Sequence, residues 1–101
     1  MWLNSKEEAT FGPFLKYIYE HEDNNFRFTY ADGTELVVCL HLYEFESDNG
    51  LDINEDGYEE YWEMAFEIIK VIKDDKNLFS VGDKVLVNYH TVPDKYEIEK
   101  Q

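Results

Sequence analysis

The clearest periodic pattern in the chain runs from residue 58 to residue 73. Apolar residues recur there at spacings of three and four, which is typical of one buried face of an α-helix: Tyr58, Tyr61, Trp62, Ala65, Phe66, Ile69 and Ile72. Glutamates stand early in this segment, whereas Lys70 and Lys73 stand late, which is the distribution that the helix dipole favours. The pattern therefore predicts a long amphipathic helix from Tyr58 to Lys73.

A β-hairpin is predicted around the dipeptide Asp32-Gly33. Phe26 to Tyr30 alternates aromatic and polar residues, and Thr34 to Phe45 is rich in β-branched and apolar residues. Asp-Gly between two such segments is typical of a two-residue type I′ turn, which needs a positive φ at both central residues. This turn would set Tyr30 opposite Glu35, and all the remaining residue pairs of the hairpin would follow from it.

The register of that hairpin divides its side chains between two faces. One face would be mostly aromatic and would form the core with the long helix: Phe26, Phe28, Tyr30, Val37, Cys39, His41, Tyr43 and Phe45. The other face would carry Arg27, Thr29, Leu36, Val38, Leu40 and Leu42. Its aliphatic residues are too apolar to stay in water, so we expect a cover. Residues 14–20 are the favoured cover, and a partner chain is the alternative.

Shorter elements are predicted near both ends of the chain. Residues 5–8 have the spacing of a helix capping box, and Phe14 to Glu20, preceded by Pro13, has the apolar stripe of a short helix. Strands are predicted at 78–81 and 84–89, followed by an edge strand at 96–99. The predicted fold is therefore α+β: an antiparallel sheet of two hairpins, with the long helix on its aromatic face and a short N-terminal helix.

Length and composition favour one folded domain over residues 1–101. Apolar residues make up 44% and aromatic residues 17%, which is too rich for a disordered acidic tail. No stretch reaches the ~18–20 apolar residues that a membrane helix needs, and the first ten residues lack the apolar region of a secretory signal. The single cysteine, Cys39, cannot form an internal disulfide, which favours a reducing compartment and predicts a cytoplasmic protein.

The negative charge of the chain is concentrated in its middle. The net charge is −14, and residues 28–69 contribute twelve acidic side chains and no lysine or arginine. Such a field repels phosphate backbones, so we expect a basic protein partner and no nucleic acid. It also opposes close pairing of two copies, which predicts a monomer. We expect the partner to contact carboxylates around the loop: Glu44, Glu46, Asp48, Glu55, Glu59 and Glu60.

One segment matches a named metal-binding motif. Residues 52–63 fit the calcium loop of EF-hand proteins at each specified position, with Gly57 at the sharp bend. The oxygen ligands would come from Asp52, Asn54, Asp56, the carbonyl of Tyr58, and Glu63. A predicted strand rather than a helix precedes the loop, and Glu59 stands where an aliphatic residue is usual. We therefore expect no cofactor, with calcium binding at residues 52–63 as the alternative. The competing interpretation of these residues is a turn that leads into a helix.

Catalytic patterns are weaker than the calcium motif. Cys39 and His41 would share a strand face, as a thiol–imidazole pair requires. Both lie on the predicted core face, however, where a free cysteine packs as a small hydrophobic residue. The chain contains no phosphate-binding loop, dinucleotide fingerprint, nucleophile elbow or Cys-x-x-Cys. We therefore expect a binding protein and no enzyme.

Several short motifs resemble a known group of proteins. They are FRFTYADG at 26–33, ESDNGL at 46–51, YEEY at 58–61, VNYH at 87–90 and PDK at 93–95. Together they resemble small, acidic, uncharacterised proteins of Gram-positive bacteria, some of which are immunity partners of secreted or contact-delivered toxins. The resemblance implies an immunity or inhibitor role. Together with the charge pattern and the single cysteine, it favours an intracellular acidic protein that docks a basic protein partner. It implies a role for no particular residue.

Overall fold

Two antiparallel strands of 14 residues each dominate the computed structural model, which describes residues 2–100. In chain order the elements are helix α1 (Glu7–Glu20) and strands β1 (Phe26–Thr29), β2 (Glu35–Asp48), β3 (Glu60–Lys73), β4 (Lys84–Val87) and β5 (Lys95–Ile98). The strands form one antiparallel sheet in the order β4-β3-β2-β1-β5. The predicted α+β class is thus confirmed, although its elements differ from those predicted.

The β1–β2 hairpin lies where the sequence predicts it, but its turn has three residues instead of two. Gly33 N donates a hydrogen bond to the Tyr30 carbonyl, and Tyr30 N donates to the Thr34 carbonyl, each at 2.9 Å. Gly33 has a φ of 91°, the left-handed conformation that ends a three-residue hairpin loop. The extra loop residue shifts the register of the hairpin.

This shift moves the aliphatic residues of β2 to the other side of the sheet. Phe28 pairs with Leu36 and Phe26 with Val38, one residue away from the predicted register. Because side chains alternate along a strand, the aliphatic residues now share a face with the phenylalanines. All four side chains are fully buried in one cluster. The predicted division into an aromatic face and a leucine face is therefore wrong.

Helix α1 covers this apolar face of the sheet. Its buried side chains Phe11, Phe14 and Ile18 recur at spacings of three and four, as one face of a helix requires. The Phe14 ring packs against the rings of Phe28 and Phe66, with centroids 5.8 and 5.9 Å away. The core is therefore a single layer between one helix and one sheet face.

α1 is longer than the predicted N-terminal helix. It begins at Glu7 after Lys6 as N-cap residue, so the capping box predicted at residues 5–8 does not form. The helix continues through Pro13, which lacks the N–H that would bond to the carbonyl of Ala9. Because Ala9 is exposed, water can bond to that carbonyl instead. Residues 14–20 are the second half of this helix, and they do cover the aliphatic residues of β2, as expected.

The helix predicted from Tyr58 to Lys73 is wrong, because most of this segment forms β3. Its core-facing side chains alternate as in a strand: Trp62, Met64, Phe66 and Ile68. Tyr61 and Ala65 on the opposite side are buried as well. Apolar residues on both faces produce spacings of three and four that imitate a helix, and pairing with β2 decides between the two structures.

The predicted hairpin of residues 78–81 and 84–89 is also wrong. Residues 78–81 lie in a loop, and β4 pairs with β3, where Met64 stands opposite Val87. Gly82 N donates to the Ile68 carbonyl at 2.8 Å, so the turn before β4 docks on β3. β4 thus forms its backbone hydrogen bonds with the edge of β3, and not with residues 78–81 as predicted. The predicted edge strand at 96–99 is confirmed as β5, which pairs with β1.

Gly33→Val should destabilise the protein by roughly 1–3 kcal/mol, because a β-branched residue is strained in the left-handed conformation of this position. Urea unfolding measures the change in free energy. Ala31→Val, in the exposed part of the same turn, is the matched control and should change it by less than about 0.5 kcal/mol. Equal unfolding midpoints for the two variants would show that Gly33 does not determine the turn.

Candidate functional site

The candidate site is the end of the β2–β3 ribbon, residues 44–60, which we call the acidic end. It comprises the last residues of β2, the connecting loop and the first residue of β3. It carries eight carboxylates and no lysine or arginine: Glu44, Glu46, Asp48, Asp52, Glu55, Asp56, Glu59 and Glu60. Glu44 and Glu59 are half-buried, and the other six are exposed. The six residues predicted to contact a partner all lie in this segment.

The strand pairing at the acidic end is regular from Phe45 to Asp48. The register of β2 against β3 shifts between Leu40 and Leu42 and again before Phe45, which adds residues to β2 and twists the ribbon. Beyond these bulges, Glu46 pairs with Trp62. Asn49 closes the ribbon, since its backbone N–H and its side-chain amide donate to carbonyls of the returning chain at 3.1 and 2.7 Å. The carboxylates are thus held on a defined backbone.

A cleft of about 400 Å³ adjoins the acidic end. It is lined by Trp2, Leu15, Glu44 and Trp62, so its walls combine two indole rings, one aliphatic side chain and one carboxylate. Tyr19 donates its hydroxyl hydrogen bond to the Glu44 carboxylate, and burial together with this bond raises the pKa of the Tyr19 phenol. The cleft therefore presents an apolar surface with a fixed negative group at its rim.

The buried carboxylate of Glu7 joins the two walls of this cleft. Its Oε1 accepts hydrogen bonds from Leu3 N at 2.9 Å and Asn4 N at 3.1 Å, and its Oε2 accepts one from Trp62 N at 2.8 Å. Glu7 is fully buried, and it forms no ion pair within residues 2–100. One side chain thus ties the N-terminal segment, the start of α1 and the start of β3 together.

A second carboxylate, Glu59, is held by a polar cluster. Tyr89 donates a hydrogen bond to it, His90 Nε2 lies 2.5 Å from its Oε1, and Lys6 Nζ lies 4.0 Å from its Oε2. The hydrogen bonds from Tyr89 and His90 hold the pKa of Glu59 below its ordinary value of 4.5. Partial burial, followed by the bond to this carboxylate, raises the pKa of Tyr89 to about 12. Glu59 is therefore part of the structure as well as of the acidic end.

The residues of the calcium prediction lie in two different settings. Asp52, Asn54 and Asp56 are exposed in the loop, and Tyr58 is half-buried. Glu63 lies inside β3, where its Oε2 accepts a hydrogen bond from Asn88 Nδ2 at 2.9 Å. A strand, and not the predicted helix, follows the loop, and no group of three metal-ligating side chains is gathered anywhere in residues 2–100. Calcium binding stays a prediction.

Several residues around the site could not be selected from the sequence. Glu7 looks like an ordinary acidic residue of a first helical turn, and its bond to Trp62 spans 55 positions. Tyr89 and His90 lie about thirty positions from Glu59. The only available signal is the pair of tryptophans, because a large amphipathic ring is enriched at recognition surfaces. Cys39 and His41 lie on β2 ahead of the acidic end, and no hydrogen bond joins them.

Carboxylates and two indole rings thus lie side by side at this end of the ribbon. The family described as Cognate immunity protein YxxD matches residues 10–90, and the chain belongs to this family. The match extends from α1 through β4 to His90 and includes the whole acidic end. No curated protein and no solved structure matches the chain. The described residues contain no helix that is both long and apolar enough to span a membrane.

Glu7→Gln should destabilise the protein by about 1–3 kcal/mol, because the amide group faces backbone donors that the carboxylate now satisfies. Glu8→Gln, the neighbouring exposed position, is the control and should change stability by less than about 0.5 kcal/mol. Urea unfolding of both variants tests the difference. Equal stability of the two variants would show that the Glu7 carboxylate does not stabilise the fold.

The Glu59 cluster predicts a dependence of stability on pH. A carboxyl group with a lowered pKa in the folded protein stabilises it above the ordinary pKa, and this contribution is lost as the pH falls through the folded-state pKa. The stability difference between the wild type and Glu59→Gln should therefore be full at neutral pH and shrink below about pH 4.5. Tyr89→Phe should reduce the same dependence. Unfolding titrations at several pH values measure this stability difference. Parallel curves of stability against pH for the wild type and Glu59→Gln would refute the prediction.

Proposed function

We propose that the chain is an immunity protein that neutralises a toxin by binding a basic surface of that toxin with the acidic end. Membership of a family described as cognate immunity protein supports the immunity role. The charge of the acidic end supports a basic partner. The proposed activity is recognition, so neutralisation requires only that the contact covers a surface on which the toxin depends.

Several carboxylates elsewhere on or beside the sheet have cationic partners. Arg27 on β1 lies 3.6 Å from Glu35 on β2 and 3.0 Å from Glu99, just after the end of β5. Lys84 lies 3.6 Å from Glu67 on the β3–β4 pair. The field of these carboxylates is therefore balanced within the protein, and they are poor candidates for a binding surface.

The acidic end lacks this balance, and this observation carries the proposal. Within residues 2–100, only the Lys6 ammonium and the His90 ring nitrogen lie within 4 Å of any of its carboxylates as ion-pair partners, and both contact Glu59. The other seven carboxylates repel one another, which destabilises the folded chain. A partner with complementary charge would relieve that repulsion on binding. Surfaces of this kind are typical of proteins that associate with a strongly charged partner.

Electrostatic attraction would act mainly on the rate of association. A concentrated field raises the frequency of productive encounters with an oppositely charged surface, and salt screens this effect. The adjoining cleft supplies the apolar contact that charge alone does not, since its indole rings can receive an aliphatic, aromatic or cationic side chain. We assign long-range steering to the acidic end and short-range fit to the cleft.

Co-expression with a toxin tests the immunity role directly. The probe is the toxin domain encoded beside the gene of this chain, produced from an inducible promoter in a host that it kills. The wild-type chain should restore growth. A variant of the chain that lacks the surface proposed to bind the toxin should not. Survival that does not depend on the chain, or death in its presence, would refute the proposed function.

Charge reversal tests the acidic end with a matched control. Glu55→Lys combined with Glu60→Lys should lower the association rate with that toxin domain by about tenfold, with folding intact because both side chains are exposed. Asp23→Lys combined with Asp75→Lys changes the net charge equally at exposed positions outside the acidic end, and it should have a much smaller effect. Biosensor kinetics at two salt concentrations give the rates. An equal loss in both variants would show that only net charge matters.

A further inference from the structure

One edge of the long ribbon has no neighbouring strand over much of its length. β1 pairs with β2 only from Glu35 to Val38, and β2 continues for ten more residues to Asp48. No strand within residues 2–100 pairs with this part of the β2 edge. A sheet edge of this kind presents a row of backbone donors and acceptors to any extended chain that approaches it.

The opposite edge of the ribbon is covered by the protein itself. Asn4 Nδ2 donates to the Glu60 carbonyl at 2.7 Å, and Trp62 N donates to the Glu7 carboxylate at 2.8 Å. Further along β3, β4 takes over from Met64 onward. On the β2 edge, Glu44 N donates a long hydrogen bond of 3.5 Å to the Tyr19 hydroxyl, and the Asp48 carbonyl accepts one of 3.0 Å from the Tyr61 hydroxyl. The molecule thus closes one edge and leaves the other available.

The pairing pattern shows which backbone groups point outward. Asn49 N bonds to the Glu59 carbonyl, so alternate residues of the regular segment bond inward, toward β3. Glu46 and Asp48 stand at the intervening positions, where N–H and C=O groups point away from β3. Trp62, which pairs with Glu46, likewise directs its N–H away from the partner strand, where it donates to Glu7. Within residues 44–48 of β2, the N–H groups of Glu46 and Asp48 and the carbonyl of Glu46 therefore point outward, while the Asp48 carbonyl accepts the Tyr61 hydroxyl.

We propose that this edge, residues 44–48 of β2, receives an extended basic segment of the toxin as an added antiparallel or parallel strand. The inference rests on the proposed function. Backbone hydrogen bonds would give affinity, and the carboxylates of Glu44, Glu46 and Asp48 would select a strand with alternating lysine or arginine side chains. Pairing over about four residues is sufficient in this fold, because β1 and β4 are held by four pairs each. Exposed Leu42 and Tyr43 extend the contact on the same strand.

A second copy of this chain does not fit the same edge. Two β2 edges paired with each other would set Glu44, Glu46 and Asp48 against the same three carboxylates, and like charges in directly opposed pairs are destabilising. Charged side chains on an exposed edge are a common protection against self-association. The same charges attract a basic strand, so the edge discriminates between the two occupants.

The test uses the toxin domain of the growth experiment and two substitutions at one position. Glu46→Pro removes the outward N–H and places a ring at the edge, while the inward ladder to β3 keeps its bonds. Glu46→Ala removes the carboxylate and keeps the N–H. Glu46→Pro should weaken toxin binding by about tenfold or more relative to Glu46→Ala. Circular dichroism and the melting temperature establish that both variants fold.

Hydrogen exchange on the wild type gives an independent readout that needs no variant. Binding of the toxin domain should slow exchange of the Glu46 and Asp48 amides by about tenfold or more, with little change at β5, the outer strand at the other side of the sheet. Equal affinity of the two variants, or unchanged exchange at both amides, overturns the strand proposal while binding by the wild type still supports the immunity role. Failure of the wild type to bind refutes both. Protection of these amides by concentrated chain alone would favour a second copy and would also overturn the proposal.

Discussion

The hydrogen bond from Gly33 N to the Tyr30 carbonyl sets the register of β1 against β2, and the rest of the sheet depends on that register. Residues 2–100 form a single helix, which can cover only one face of the sheet, so the large apolar residues have to share that face. The three-residue turn achieves this by bringing Leu36 and Val38 to the side of Phe26 and Phe28. A two-residue turn would have left an apolar face without cover.

The face away from α1 is stable in water for a different reason. Arg27 bridges Glu35 on β2 and Glu99 just after β5. Charged side chains and their ion pairs therefore lie on this face over the middle of the sheet. The ribbon end lies beyond this paired region, and within residues 2–100 no cationic group lies within 4 Å of seven of its eight carboxylates.

The sequence predicts what depends on neighbours along the chain and fails where distant residues decide. The hairpin at Asp32-Gly33, the apolar stripe of residues 14–20 and the edge strand near 96–99 follow from local patterns. The acidic end is also a local feature, because its carboxylates lie within 17 consecutive residues. β3 could not be predicted from the sequence, because the apolar residues on both of its faces also satisfy the spacing of a helix. Only the pairing with β2 decides between strand and helix. Glu7 and Tyr89 act through partners that no local pattern connects to them.

The two tryptophans of the chain, Trp2 and Trp62, both line the cleft beside the acidic end. Every indole that emits ultraviolet fluorescence therefore reports on one location, and the many tyrosines can be avoided by the choice of excitation wavelength. A molecule that enters the cleft changes the polarity around all emitting groups at once, whereas one that binds on the far side of the sheet leaves them in place. The protein thus contains an optical probe of the cleft beside the acidic end, with no label required.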